Sequence, residues 1–176
     1  MVTVSNIEIE TYNYLHPFYN IETEKLSDFI VLATDVYTMV TSRKTDENLL
    51  FPNIPTTFGL HYDTPILLDN GEKYSIGRWY EERRISRIGL LLYDNSIKKF
   101  IPGLSSIVGL GEYLETYTIT LSTGSRIKCS KDLPFLLDNN TSVKAKDLVI
   151  GQMLKSFFNY DALTKTYSLA NKIINK

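Results

Sequence analysis

The 176-residue sequence holds one cysteine, Cys129, and two histidines, His16 and His61. A lone cysteine excludes an internal disulfide framework and any multi-cysteine zinc site, and it suits a reducing compartment. The two histidines lie far apart in sequence and add no metal-ligand spacing. No charged start leads into a long apolar run, so neither a signal peptide nor a membrane span is expected. A formal net charge of -1 leaves no large field of one sign, which argues against nucleic-acid or anionic-membrane binding as the main role. Phosphate-binding glycine loops, dinucleotide fingerprints, His-Glu-x-x-His and calcium-loop patterns are all missing, so no cofactor, metal or small-molecule substrate is expected. No low-complexity tract and no internal repeat stands out.

What is present suits a soluble β-rich protein. Hydrophobic residues make up 43% of the chain, enough for a proper core, and twelve tyrosines stand against three methionines and one tryptophan. Tyr117-Thr118-Ile119-Thr120-Leu121 alternates with the period of a half-buried strand, Ser122-Thr123-Gly124-Ser125 supplies a turn, and Arg126-Ile127-Lys128-Cys129 alternates again, which makes a hairpin. The apolar segment Leu133-Pro134-Phe135-Leu136-Leu137 follows, then the polar turn Asp138-Asn139-Asn140-Thr141, then Val143 to Leu154 as further short extended pieces. Asp69-Asn70-Gly71-Glu72 is another turn signal, read as type I′ because Asn-Gly tolerates positive φ. The expected core includes Ile66, Leu68, Leu91, Tyr93, Ile119, Leu121, Ile127, Phe135, Leu136 and Leu148.

The order of these segments resembles the hedgehog and intein (Hint) family. Ser130-Lys131-Asp132-Leu133-Pro134-Phe135-Leu136 matches its Thr-x-x-His-Pro-apolar-Leu segment, and Ala145 to Leu154 matches the strand that follows. Asp63-Thr64-Pro65-Ile66-Leu67-Leu68-Asp69-Asn70-Gly71-Glu72 resembles the opening strand, and Leu91 to Pro102 the middle hairpin, so the likeness spans 59–156. It implies bent antiparallel strands and, in working members, a Cys or Ser that attacks the carbonyl before it while a histidine assists bond cleavage. Here the nucleophile position is Gly59 and the histidine position is Leu133. Neither side chain can attack or move a proton, so the resemblance implies an inactive member. The closing His-Asn pair is also missing from the stretch between Ser156 and Lys176.

Residues 1–58 are expected to be a small α+β attachment region, with residues 59–176 forming the Hint-like domain. Val2-Thr3-Val4 and Ile7 to Tyr12 alternate as one or two short strands. Leu26, Phe29, Ile30, Ala33, Val36 and Val40 recur at helical spacing and predict one clear helix over Thr23 to Ser42, with Glu22, Glu24, Lys25 and Asp28 crowding its first turn. Pro52 and Pro55 mark a connector. Tyr74 to Arg87 reads as a short helix, Phe100 to Gly111 as a loop or edge, and Leu163 to Ile174 as a terminal strand or helix.

Each group capable of chemistry has a plainer role. Cys129, alternating with Ile127, reads as a small buried hydrophobe. His61 beside Asp63 could be a general base, but a surface or structural histidine is the commoner case. His16 sits in a loop next to a proline, and Asp132 is a turn residue. The run Glu81-Glu82-Arg83-Arg84 reads as a solvated helix face with local ion pairs, ahead of a docking patch. No catalytic, cofactor-binding or metal residues are assigned.

The expectation is therefore not an enzyme but a structural or protein-interaction module of a larger assembly, with other protein subunits as partners through its N-terminal region. A cytoplasmic or virion setting, as in a phage or virus particle, suits a composition rich in Asn, Ile, Lys and Tyr. Two alternatives remain open: self-processing that recruits His61 or Ser130, and an accessory subunit of a nucleic-acid machine that uses Arg83, Arg84 and Arg87.

Overall fold

The computed structural model describes residues 2–23, 28–44, 59–83 and 88–158. The fold is mainly antiparallel β, with one α-helix among these residues. Strand β1 (Val2–Thr23) runs antiparallel to β8 (Lys99–Leu121), from Val4 opposite Leu121 to Glu22 opposite Ser106. The ladder slips near Val4, between Thr11 and His16, and beside Pro17, which has no N–H to donate. Such bulges bend a strand and sharpen its local twist.

Around the ribbon, β7 (Ile88–Asp94) pairs with the first part of β8, and β9 (Arg126–Cys129) pairs with its last part. The hairpin β2 (Asp28–Ala33) and β3 (Tyr37–Thr41) lies beyond β7. Strand β4 (Arg43–Lys44) runs parallel to the end of β1. Two short hairpins flank the β2–β3 pair: β5 (Pro65–Leu67) with β6 (Lys73–Ser75) against β2, and β10 (Pro134–Leu136) with β11 (Ser142–Lys144) against β3. Helix α1 (Ile76–Arg83) follows β6, and a 3-10 turn (Ala145–Asp147) follows β11. Strand β12 (Met153–Leu154) joins the start of β1, and β13 (Ser156–Phe157) joins β3. Strands β1, β2 and β3 thus share a sheet with strands that follow residue 59. The proline connector and the stretch from Leu163 to Ile174 lie outside the described residues.

Each of the ten expected core residues is buried. They divide between two clusters. Ile66, Leu68, Ile119, Leu121, Ile127, Phe135 and Leu148 join the larger one, and Leu91, Tyr93 and Leu136 the smaller.

The helix expected over Thr23 to Ser42 is not formed; its described part is the β2–β3 hairpin. Along β2, Ile30 and Leu32 enter the larger cluster while Phe29, Val31 and Ala33 enter the smaller. A strand buried on both faces is a continuous apolar run, and such a run satisfies helical spacing as readily as strand spacing. The one α-helix among the described residues lies at Ile76–Arg83, within the stretch read as a short helix. Phe100 to Gly111, read as a loop or edge, is instead part of β8, which is paired with β7 on one side and β1 on the other. Pro102 lies opposite Leu91 and Gly103 opposite Leu90, and a side chain at Gly103 would meet Leu92.

The structure also reveals an internal repeat. Hairpin β5–β6 pairs Pro65 with Ser75, Ile66 with Tyr74 and Leu67 with Lys73; β10–β11 pairs Pro134 with Lys144, Phe135 with Val143 and Leu136 with Ser142. Every member is displaced by 69 positions, as from 65 to 134 and from 75 to 144. The flanking bonds shift by the same step: Thr64 N–H to His61 O becomes Leu133 N–H to Ser130 O, and Ile76 N–H to Thr64 O becomes Ala145 N–H to Leu133 O. Asp63, Pro65, Leu67, Leu68, Asp69 and Asn70 recur as Asp132, Pro134, Leu136, Leu137, Asp138 and Asn139.

The repeated turns share one geometry. Gly71 N–H donates to Leu68 O, and Leu68 N–H donates to Glu72 O. This is a three-residue loop in which the third residue is left-handed, rather than type I′. Gly71 takes φ 90° there and Asn140 takes φ 68°.

Candidate functional site

The two positions matched to the chemistry of the Hint family, Gly59 and Leu133, flank one structural centre. Leu60 and Cys129 form an antiparallel bridge. On one side of it His61 N–H donates to Lys128 O at 2.9 Å, and on the other Ser130 N–H donates to Gly59 O at 3.0 Å. Each pair joins one repeat to the other.

At Gly59 the side chain of Ser130 completes the contact. Gly59 N–H donates to Ser130 Oγ at 2.9 Å, and the hydroxyl reaches Gly59 O at 3.3 Å. Ser130 is buried. The hydroxyl thus holds Gly59 through both its N–H and its carbonyl oxygen. Leu133 is fully buried in the larger core cluster, with its carbonyl engaged by Ala145 N–H at 2.9 Å. The fold brings Gly59 against Ser130, at the start of the turn that leads to Leu133.

The other candidates occupy plainer positions. Cys129 is fully buried, and burial pushes its thiol well above the ordinary range, so it resists ionisation. His61 is 22% exposed, and its Nδ1 lies 3.9 Å from an Asp63 carboxylate that is 82% exposed. The same Nδ1 accepts from Asp63 N–H at 3.4 Å. This is a local turn contact. Asp132 lies 3.4 Å from Lys146 Nζ. His16 pairs with Tyr113 through the backbone of the ribbon rather than lying in a loop.

Along α1, Glu81 accepts from Tyr62 Oη at 2.7 Å, and Glu82 accepts from Tyr74 Oη at 2.6 Å and Arg78 Nε at 2.8 Å. The bond to Glu81 pushes the Tyr62 phenol up to about 12. These carboxylates are tied to tyrosines of their own half. Arg84 and Arg87 lie outside the described residues. No helix among the described residues is long and apolar enough to cross a membrane.

No family model matches the chain, and no curated protein matches it. Sequence reasoning missed that Ser130 holds Gly59 and that His61 is the repeat counterpart of Ser130. The recurring Asp-x-Pro-x-Leu-Leu-Asp-Asn pattern carried that signal.

Proposed function

We propose that this chain is a non-catalytic structural or protein-interaction module of a larger assembly, such as a phage or virus particle, built on a Hint-like scaffold. The observation that carries the reading is the contact between Gly59 and Ser130. A hydrogen atom occupies the position matched to the nucleophile, and a buried isobutyl group the position matched to the imidazole. The nearby hydroxyl is engaged in holding backbone. A held peptide with no group to cut it suits a rigid body whose role is to be held by neighbours. Partners are other protein subunits, met through the N-terminal region, where Ile9 is 55% exposed.

Intact-mass measurement of the purified chain, incubated with thiol or hydroxylamine, tests the absence of self-cleavage. The expected result is one unchanged mass; a break before residue 59 would remove the inert reading. Installing Gly59→Cys together with Leu133→His tests the scaffold. Thiol-dependent scission before residue 59 in that folded variant supports the Hint assignment, and a folded variant that stays whole counts against it. Size-exclusion chromatography of the chain with its co-purifying proteins tests the assembly: a monodisperse monomer with no retained partner opposes it.

A further inference from the structure

We propose that Asn70-Gly71 is a deamidation site that the folded first repeat keeps closed, making it a one-way mark of the opening of the β5–β6 hairpin. Asn70 is exposed and is followed by glycine, which leaves the attacking backbone nitrogen unhindered. In the reaction the Gly71 amide nitrogen loses its proton and bonds to Asn70 Cγ. The Cγ–Nδ2 bond breaks, and ammonia leaves with that proton. Solvent water then opens the succinimide at either carbonyl, giving aspartate or isoaspartate, with no change of oxidation state.

Three features of the folded turn oppose ring closure. Gly71 N–H is donated to Leu68 O at 3.0 Å. Asn70 Oδ1 accepts from Glu72 N–H at 3.0 Å, which ties the side-chain amide to residue 72. Asn70 also occupies the second central position of a type I turn, where ψ is about 0°, and closure requires that torsion to rotate. The reaction therefore waits for the hairpin to open.

The second repeat holds the same turn without the same liability. Asn139 Oδ1 accepts from Thr141 N–H at 3.1 Å and from its hydroxyl at 2.6 Å, and Asn140 N–H donates to Leu137 O at 2.9 Å. The nitrogen that would attack belongs to Asn140, whose side chain crowds the approach. Once formed at residue 70, isoaspartate routes the main chain through an extra carbon. The three-residue loop that brings Leu68 N–H to Glu72 O then cannot re-form.

The test ages the full chain at one mildly alkaline pH and temperature, folded and in urea, and follows the peptides holding Asn70 and Asn139 by mass and by the separate elution of isoaspartate. In urea, Asn70 is expected to convert at least about tenfold faster than Asn139, and folding is expected to slow Asn70 by at least about tenfold. Equal rates for Asn70 folded and unfolded would overturn the closed turn. Equal rates for the two asparagines in urea would overturn the site. The isoaspartate fraction, refolded after separation, is expected to unfold at lower urea than Asn70→Asp, and equal midpoints would overturn the one-way mark.

Discussion

Leu60 pairs with Cys129 across an antiparallel bridge, and Cys129 is the counterpart of Leu60 in the repeat. A residue paired with its own counterpart sits opposite it across a local two-fold axis, so the bonds to either side come as a matched couple: His61 N–H to Lys128 O and Ser130 N–H to Gly59 O. The side chains around the axis have diverged. Ser130 replaces His61, Lys128 replaces Gly59, and only the Ser130 side is linked through a hydroxyl to the glycine amide.

Removing that hydroxyl should cost stability and nothing else. Ser130→Ala leaves the Gly59 N–H without its acceptor in a buried setting, a loss of about 1–3 kcal/mol. Urea unfolding should show a lower midpoint at unchanged slope. A midpoint equal to that of the natural chain would mean the contact is dispensable.

Cys129 makes stability fall on the alkaline side. Burial raises the folded thiol above its unfolded value, so its contribution is fully present below about pH 8.5 and is lost as pH rises beyond that. Cys129→Ala should flatten this part of the decline. Alkylation of the folded chain should be slow and should become fast in urea; rapid labelling without denaturant would contradict the burial.

The left-handed loop positions should accept each other's residues. Gly71→Asn, which copies Asn140, is expected to cost less than about 1 kcal/mol, while Gly71→Val should cost about 1–2 kcal/mol because a branched side chain is strained at φ 90°. Asn140→Gly relieves strain but loses the Lys155 Nζ contact at 2.9 Å, so it should stay within about 0.5 kcal/mol of the natural chain. Thermal unfolding of the three variants checks the order.

Two glycines should respond differently to one added methyl. A Cβ at Gly77 would collide with the Tyr62 ring and its Cα, and backbone cannot yield cheaply; Gly77→Ala should cost about 1–3 kcal/mol. A Cβ at Gly103 would meet the end of the Leu92 side chain, which can change rotamer. Gly103→Ala should therefore be the milder of the two, and equal losses of melting temperature would refute the distinction.

The hairpin from Tyr117 to Cys129 was legible because alternation, a glycine turn and a buried face coincide there. The β2 strand was not. Both of its faces are buried, which erases alternation and leaves the apolar spacing of a helix. Residues 100–111 carry Pro102 and Gly103, which signal a loop by themselves, yet β7 lies alongside and the close approach of Leu92 calls for a small residue at Gly103. At the candidate site, the glycine at 59 and the leucine at 133 could be read from the letters, but the Ser130 contact could not, because it spans the gap between the repeats.

By itself, the sequence determined which groups are available: a glycine at 59 and a leucine at 133, a lone cysteine, turn residues at the hairpin tips and alternating strands with a buried side. These are local properties, set by each residue's own atoms and near neighbours. Only the tertiary structure decided which apolar run became strand, that Ser130 holds Gly59 and that the segments leading into the two repeated hairpins pair at Leu60 and Cys129. Those outcomes rest on hydrogen bonds and burial between segments far apart in the chain, and such partners exist only once the ribbon has closed.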